Sequence, residues 1–248
     1  MPTPLEILWR SDRAVAVNKP AQFAAIPGRA ENNSILEQLG RELNLPSSGA
    51  DDPRIRVVHR LDKDTTGVML FALDRGAQQH FSHQFQNNTI EKEYLAIVRG
   101  RPLEDEGIVD APLGPHPASP KRMAVIKHAG RPARTDWRIE ERFRGFSLIR
   151  CFPKTGKTHQ IRVHLAHIGI PLAIDPLYGG ANPILLSQFK RDYRPSRHHE
   201  ERPLIDRLTL HAQKLRFVGL DGSPVEIEAP FPKDFRATLN QLRRHARA

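Results

Sequence analysis

The chain has 248 residues, 39% hydrophobic and 27% charged, enough to bury a sizeable core in one large domain or two small ones. A net charge of +10 calls for an anionic partner, most commonly a phosphate backbone, with an acidic membrane surface as the competitor. A single cysteine, Cys151, excludes an intramolecular disulfide and a cysteine-rich zinc cluster. With no apolar run of transmembrane length and no leader pattern, a soluble, cytoplasmic protein is expected.

In chain order, residues 7–18 hold two short β-like runs around Ser11-Asp12, ended by Lys19-Pro20. Helical spacing follows at Ile35, Leu39 and Leu43, with Asn33 or Ser34 as N-cap, until Pro46-Ser47-Ser48-Gly49 breaks it. Ile55, Val57 and Val58 read as a strand leading into HRLDKDTTG, His59 to Gly67, with Thr65-Thr66-Gly67 as the turn. If that strand ran on, Arg60 and Asp62 would point to the same side, close enough for a guanidinium to contact a carboxylate.

Residues 68–73 suit a buried strand, and Asp74 can cap a helix with Ala77, Phe81 and Phe85 on one face. A strand at 93–98 precedes a Gly- and Pro-rich region, 100–120, expected to be irregular loop. Residues 135–143 and 146–152 read as a hairpin about Arg144-Gly145. Residues 158–168 show helical spacing at Ile161, Leu165 and Ile168, with Gly169 as the stop. A polar stretch rich in Arg and His, 180–202, reads as an exposed insertion. Two strands then flank Asp221-Gly222, and a last helix carries Phe235, Leu239 and Leu242. Strands outnumber helices without regular alternation, which predicts an α+β class with a largely antiparallel mixed sheet and flanking helices. No linker divides the chain, so one catalytic domain over 1–248 with a central cleft is expected.

Lys154-Thr155-Gly156-Lys157-Thr158 invites comparison with a phosphate-binding loop, but the glycine needed five residues before Gly156 is Cys151. Contact of Lys154 and Lys157 with a polymer phosphate backbone is the simpler function, and a solvated turn the simplest. His164 and His167 are three apart, and the His198-His199-Glu200-Glu201 run lacks enforced geometry, so no metal site is expected. For Arg60 and Asp62, a structural ion pair and a poised acid both stand on the residues alone.

Four ordered segments, HRLDKDTTGVMLFA, KEYLAIVRG, GKTHQIRVHLAHIGIPLAIDPLYG and LTLHA, together resemble the RluA-type pseudouridine synthase family. NKPAQFAAIPG upstream and APFPKDFRATLNQL at the end are similar to that family as well, so the resemblance spans about Ile7 to Leu242. It implies isomerisation of uridine in structured RNA, ribosomal or transfer, to pseudouridine, with no redox cofactor or metal. The family's catalytic aspartate maps onto Asp62, whose ionised form would meet the positive character that glycosidic cleavage builds on the sugar. Arg162 would pair with this aspartate and keep it ionised, and Tyr94 would stack on the uracil and help exchange the proton at carbon 5.

Arg60 resembles the arginine that replaces the flipped-out base. His59 would order the loop, Leu165 wall the uracil pocket, and Lys19 with Pro20 support it. Thr66 stands where many members have serine, and Lys157 is a further substrate contact. Ile174 replaces a usual glycine, which leaves the fit around Asp175 open. Many relatives carry an N-terminal RNA-binding domain, and few residues precede Ile7 here. The expectation is therefore that the catalytic domain grips substrate itself, with Lys190, Arg191, Arg194, Arg197 and Arg202 of the insertion as a supplement or else a disordered charged loop. A monomer is the default. The rivals are a non-catalytic RNA-binding or ribosome-assembly protein on the same fold, and a small-glycoside hydrolase, for which no second carboxylate is recognisable.

Overall fold

The computed structural model describes residues 4–28, 34–47, 51–196 and 198–247. They group into two compact units, one of residues up to 93 with 212–230, the other of residues 94–211 with those from 231 on.

In the first unit β1 (Glu6–Arg10) and β2 (Ala14–Lys19) form an antiparallel hairpin, with Glu6 opposite Asn18. β3 (Arg56–Val57) and β2 both pair antiparallel with β4 (Thr66–Ala72), so the order is β1-β2-β4-β11, where β11 is Leu210–Val218 and pairs on with β12 (Pro224–Glu228). Every residue of β4 is buried, which its continuous apolar composition requires. Between β1 and β4 in the chain, α1 (Ile35–Leu43) starts at Ser34, whose hydroxyl accepts from Glu37 N–H while the Glu37 carboxylate accepts from Ser34 N–H, a reciprocal capping box. α2 (Arg75–Gln86) is capped by Asp74 and lays Ala77 and Phe81 on Val68 and Leu70 of β4 and Phe217 of β11.

The second unit orders its strands β5-β10-β9-β6: β5 (Glu91–Arg99), β10 (Phe146–Pro153), β9 (Arg134–Phe143) and β6 (Glu106–Asp110). β7 (Leu113–His116) and β8 (Ser119–Val125) make a separate hairpin. The two-residue period of β5 sorts its side chains between two layers. Leu95 and Ile97 pack with Phe235, Leu239 and Leu242 of α4 (Lys233–His245), whereas Ala96 and Val98 pack with Ile161 and Leu165 of α3 (Gln160–His167). The class is α+β, as the sequence predicts.

Several expectations change. The strand before the HRLD segment ends at Val57, so neither Arg60 nor Asp62 lies on it and their shared parity does not apply. Thr66 and Gly67 open β4 rather than forming the turn, which falls at Lys63-Asp64 with Thr65 N–H bonded to the Asp62 carbonyl at 3.1 Å. Gly67 is required there because a Cβ would sit 2.0 Å from the Ala212 carbonyl oxygen, at a φ of +115°. Residues 100–120 contain β6, β7 and the start of β8, short strands whose exposed polar positions and prolines mask the β pattern. The insertion is folded among its described residues: Ile184 and Phe189 are buried, Ile184 pairs with Ile205, and residues 186–188 form a 3-10 turn. Asn33, Ser48, Gly49 and Arg197 lie outside the described residues.

Candidate active site

The first unit carries the loop between β3 and β4. Lys19, the last residue of β2, is fully buried, and its ammonium donates to the carbonyls of Pro20 at 2.9 Å, Lys63 at 2.7 Å and Thr65 at 2.8 Å. These contacts pin the backbone immediately after Asp62, so Lys19 supports the loop from inside the core, with no surface left for a substrate contact. His59 pins the approach. Its ring stacks on Phe85 with centroids 4.4 Å apart, and its Nε2 accepts the Leu70 N–H at 2.9 Å. Burial, helped by the charge of Lys92, pushes the imidazole down to about 3, so it is neutral and its proton sits on Nδ1. With loop backbone held this way, Asp62 is half-buried and Arg60 exposed, while Thr65 and Thr66 are buried.

The second unit carries α3. The turn before it is organised by Gln160, whose side-chain oxygen accepts from Thr155 Oγ1 at 2.6 Å and from the Lys157 N–H at 3.0 Å. Its amide donates to the Arg134 carbonyl at 2.9 Å and to Thr135 Oγ1 at 3.0 Å. The Lys157 amide is thereby committed to Gln160, which removes the cradle that a phosphate-binding loop would need. His164, also fully buried, lies within 2.9 Å of both Thr135 Oγ1 and the Ala111 carbonyl, and burial lowers its pKa against the opposing pull of that carbonyl. It is a core histidine, as the absence of metal-ligand spacing suggests.

Arg162 is held by a carboxylate that the sequence reading had left open. Its Nε and Nη2 each donate at 2.8 Å to the two oxygens of Asp175, which is 0% exposed. The Asp175 carboxylate also accepts the N–H groups of Leu177 at 3.0 Å and Tyr178 at 3.3 Å. The Arg162 guanidinium lies 5.1 Å from the Tyr178 ring centroid. Ile174 therefore does not spoil the fit: it is buried with Ala173 in the core layer under α4. The signal for Asp175 was a lone acid following the apolar run Ile170 to Ile174, which must be paired if buried. Tyr178 and Arg122 carried no comparable signal.

Tyr94, in β5 opposite Cys151 of β10, is half-buried and packs against the cluster holding Ile161 and Leu165. Leu165 itself is fully buried, so it backs that layer rather than presenting a surface. Cys151 is buried too, and burial pushes its thiol up to about 12, which makes it unreactive.

Residues 13–167 match the family described as RNA pseudouridylate synthase. A Nitrosomonas europaea protein named ribosomal large subunit pseudouridine synthase D is 39% identical over 241 residues, 97% of this chain and 66% of its own length. The proteins of that name from Xanthomonas campestris pv. campestris and Escherichia coli K12 are 39% and 36% identical, each over 97% of this chain and over 70% and 71% of their own lengths. This chain thus spans about two thirds of the length of these relatives. Among solved structures, human RNA Pseudouridylate Synthase Domain Containing 1 superposes with a TM-score of 0.70 at 26% identity, over 94% of this chain and 86% of that one.

Proposed function

The chain belongs to the RNA pseudouridylate synthase family, and on that premise we propose that it isomerises uridine within structured RNA to pseudouridine. The observation that carries this is that residues 13–167, the span matching the family, include Asp62, Tyr94 and Arg162, and that Asp62 sits on a loop whose backbone is fixed by a buried lysine. The named relatives act on the large ribosomal subunit, which makes ribosomal RNA the first substrate to test and transfer RNA the second.

Each residue then has a part. The uridine leaves the helix, and Arg60, exposed on the loop, fills the vacated place in the stack. The Asp62 carboxylate meets the sugar as the glycosidic bond to uracil nitrogen breaks, and a bond from uracil carbon 5 to the same sugar carbon replaces it. The proton displaced from carbon 5 goes to water and the freed uracil nitrogen takes up one in its place, so nothing is oxidised, reduced or hydrolysed overall. Tyr94 stacks on the uracil, and Arg162, held by Asp175, supplies a cation to the reaction. Lys157 and the exposed Arg191, Arg194 and Arg202 of the insertion add phosphate contacts. A non-catalytic RNA-binding protein would have no need of all three of Asp62, Tyr94 and Arg162.

The test is release of tritium from RNA labelled at uridine carbon 5. The wild-type protein is expected to release it, and Asp62→Ala to slow release by at least about a thousandfold. Undiminished release from Asp62→Ala, or free uracil as the product, overturns the proposal.

A further inference from the structure

The β7–β8 hairpin carries a charge distribution that the residues assigned above do not use. From residue 111 to residue 135 there is no Asp or Glu, while Lys121, Arg122, Lys127, Arg131 and Arg134 fall within it. Arg134 is paired with Asp136, but Lys121, Lys127 and Arg131 are exposed. Arg122 differs from these surface cations. Its guanidinium lies 5.4 Å from the Tyr178 ring centroid, the same ring that Arg162 approaches at 5.1 Å, and the Tyr178 hydroxyl accepts the N–H of the next residue, Met123, at 2.7 Å.

Two guanidinium groups thus share one aromatic ring, and they are not equivalent. Asp175 neutralises Arg162 through both oxygens. The Nε of Arg122 is shielded from solvent and meets no acceptor among the described residues. A contact to a ring face is worth less than the burial of an unsatisfied charged donor costs, so stacking on Tyr178 does not account for Arg122 being there. An anion arriving on this side would satisfy the donor and relieve the repulsion between the two cations.

We infer that the β7–β8 hairpin is a phosphate-binding element for the RNA strand, with Arg122 as its inner contact and Lys121, Lys127 and Arg131 as its outer ones. This deepens the RNA-modifying function proposed above and rests on it for the identity of the anion. The occupant is the sugar-phosphate backbone, because the cations are spread along a hairpin and its following loop rather than gathered around one point, which suits a polymer better than a lone nucleotide.

The experiment measures binding of a labelled RNA stem-loop across a salt series. Arg122→Gln keeps the stem over Tyr178 and an amide donor but loses the charge. It is expected to weaken affinity about tenfold and to reduce the slope of log affinity against log salt by about 0.7–0.9. Lys121→Gln, Lys127→Gln and Arg131→Gln together, all at exposed positions that folding tolerates, should reduce the slope by about two to three. Arg13→Gln is the control, since it removes the same charge from an exposed arginine bound to Asp74. Slopes unchanged by the hairpin variants, or a reduction as large from Arg13→Gln, overturn the inference. The measurement needs no turnover. Reduced slopes with no uridine converted would leave the hairpin standing and fell the proposed function, whereas converted uridine with unchanged slopes would do the reverse.

Discussion

The loop bearing Asp62 and the helix bearing Arg162 are held by opposite strategies. In the loop a buried cation, Lys19, donates to three backbone carbonyls, and a neutral histidine accepts a backbone N–H. Main chain is fixed there, and the candidate side chains of Arg60 and Asp62 extend from it. In α3 the Arg162 side chain itself is gripped, by a bidentate carboxylate that is also anchored to two backbone N–H groups. Fixing a backbone sets where the Asp62 and Arg60 side chains start. Gripping the guanidinium sets one direction for its charge in advance, as a group proposed to act electrostatically requires.

The strongest way to break this comparison is Asp175→Ala. It strands Arg162 without its fully buried partner and uncovers the N–H groups of Leu177 and Tyr178, so a loss of about 3–5 kcal/mol in unfolding free energy is expected from urea denaturation. Asp175→Asn keeps acceptors for those two amides and should lose less. A loss below about 1 kcal/mol for the alanine variant would mean that the carboxylate does not hold the helix side chain as described.

Lys19→Met sharpens the other half. Removing the ammonium leaves the Lys63 and Thr65 carbonyls without their charged donor, but it also removes the cost of burying a charge, so about 2–3 kcal/mol is expected. The more telling readout is amide exchange. The Thr65 N–H, bonded to the Asp62 carbonyl, should exchange faster in the variant while the amides of β4 keep their protection. Uniform acceleration, or none, would show that Lys19 stabilises the core generally and not the loop.

What the sequence disclosed and what it hid divide along the same line. Ser34 with Glu37, and Asp74 with Ala77, are contacts three residues apart, so their caps were legible from spacing. The apolar faces of α3 and α4 followed from periodicity, and the catalytic candidates from four ordered motifs. Lys19 was legible only as a strand end supporting the pocket with Pro20, because nothing local shows that carbonyls 44 and 46 positions away will enclose its amine. Arg122 was likewise invisible, since the ring it approaches belongs to a segment beyond two further strands and a helix. The Arg60 and Asp62 argument failed because it extended a strand through residues that the Lys19 contacts pull into a loop. Local hydrogen-bond chemistry is written in spacing; long-range satisfaction of buried charge is not.

The most gradual expected effect, and the one most particular to the loop, is a pH dependence carried by His59. Its imidazole stays neutral in the fold down to about 3, whereas in the unfolded chain it protonates near its ordinary value of 6.5. Above pH 6.5 both states are neutral and the full stabilisation is present. Between there and pH 3 the unfolded chain binds one more proton than the folded one, so stability falls as pH falls, by up to about 1.4 kcal/mol per unit. Denaturation of wild type and His59→Gln at a series of pH values from neutral to mildly acidic should show the variant less stable at pH 7 but with a shallower decline. Some slope of the same sign should remain, because burial also lowers the pKa of His164. Equal slopes in the two proteins would mean that His59 is not held neutral by the Leu70 amide and its burial, and the loop would then be held by Lys19 alone.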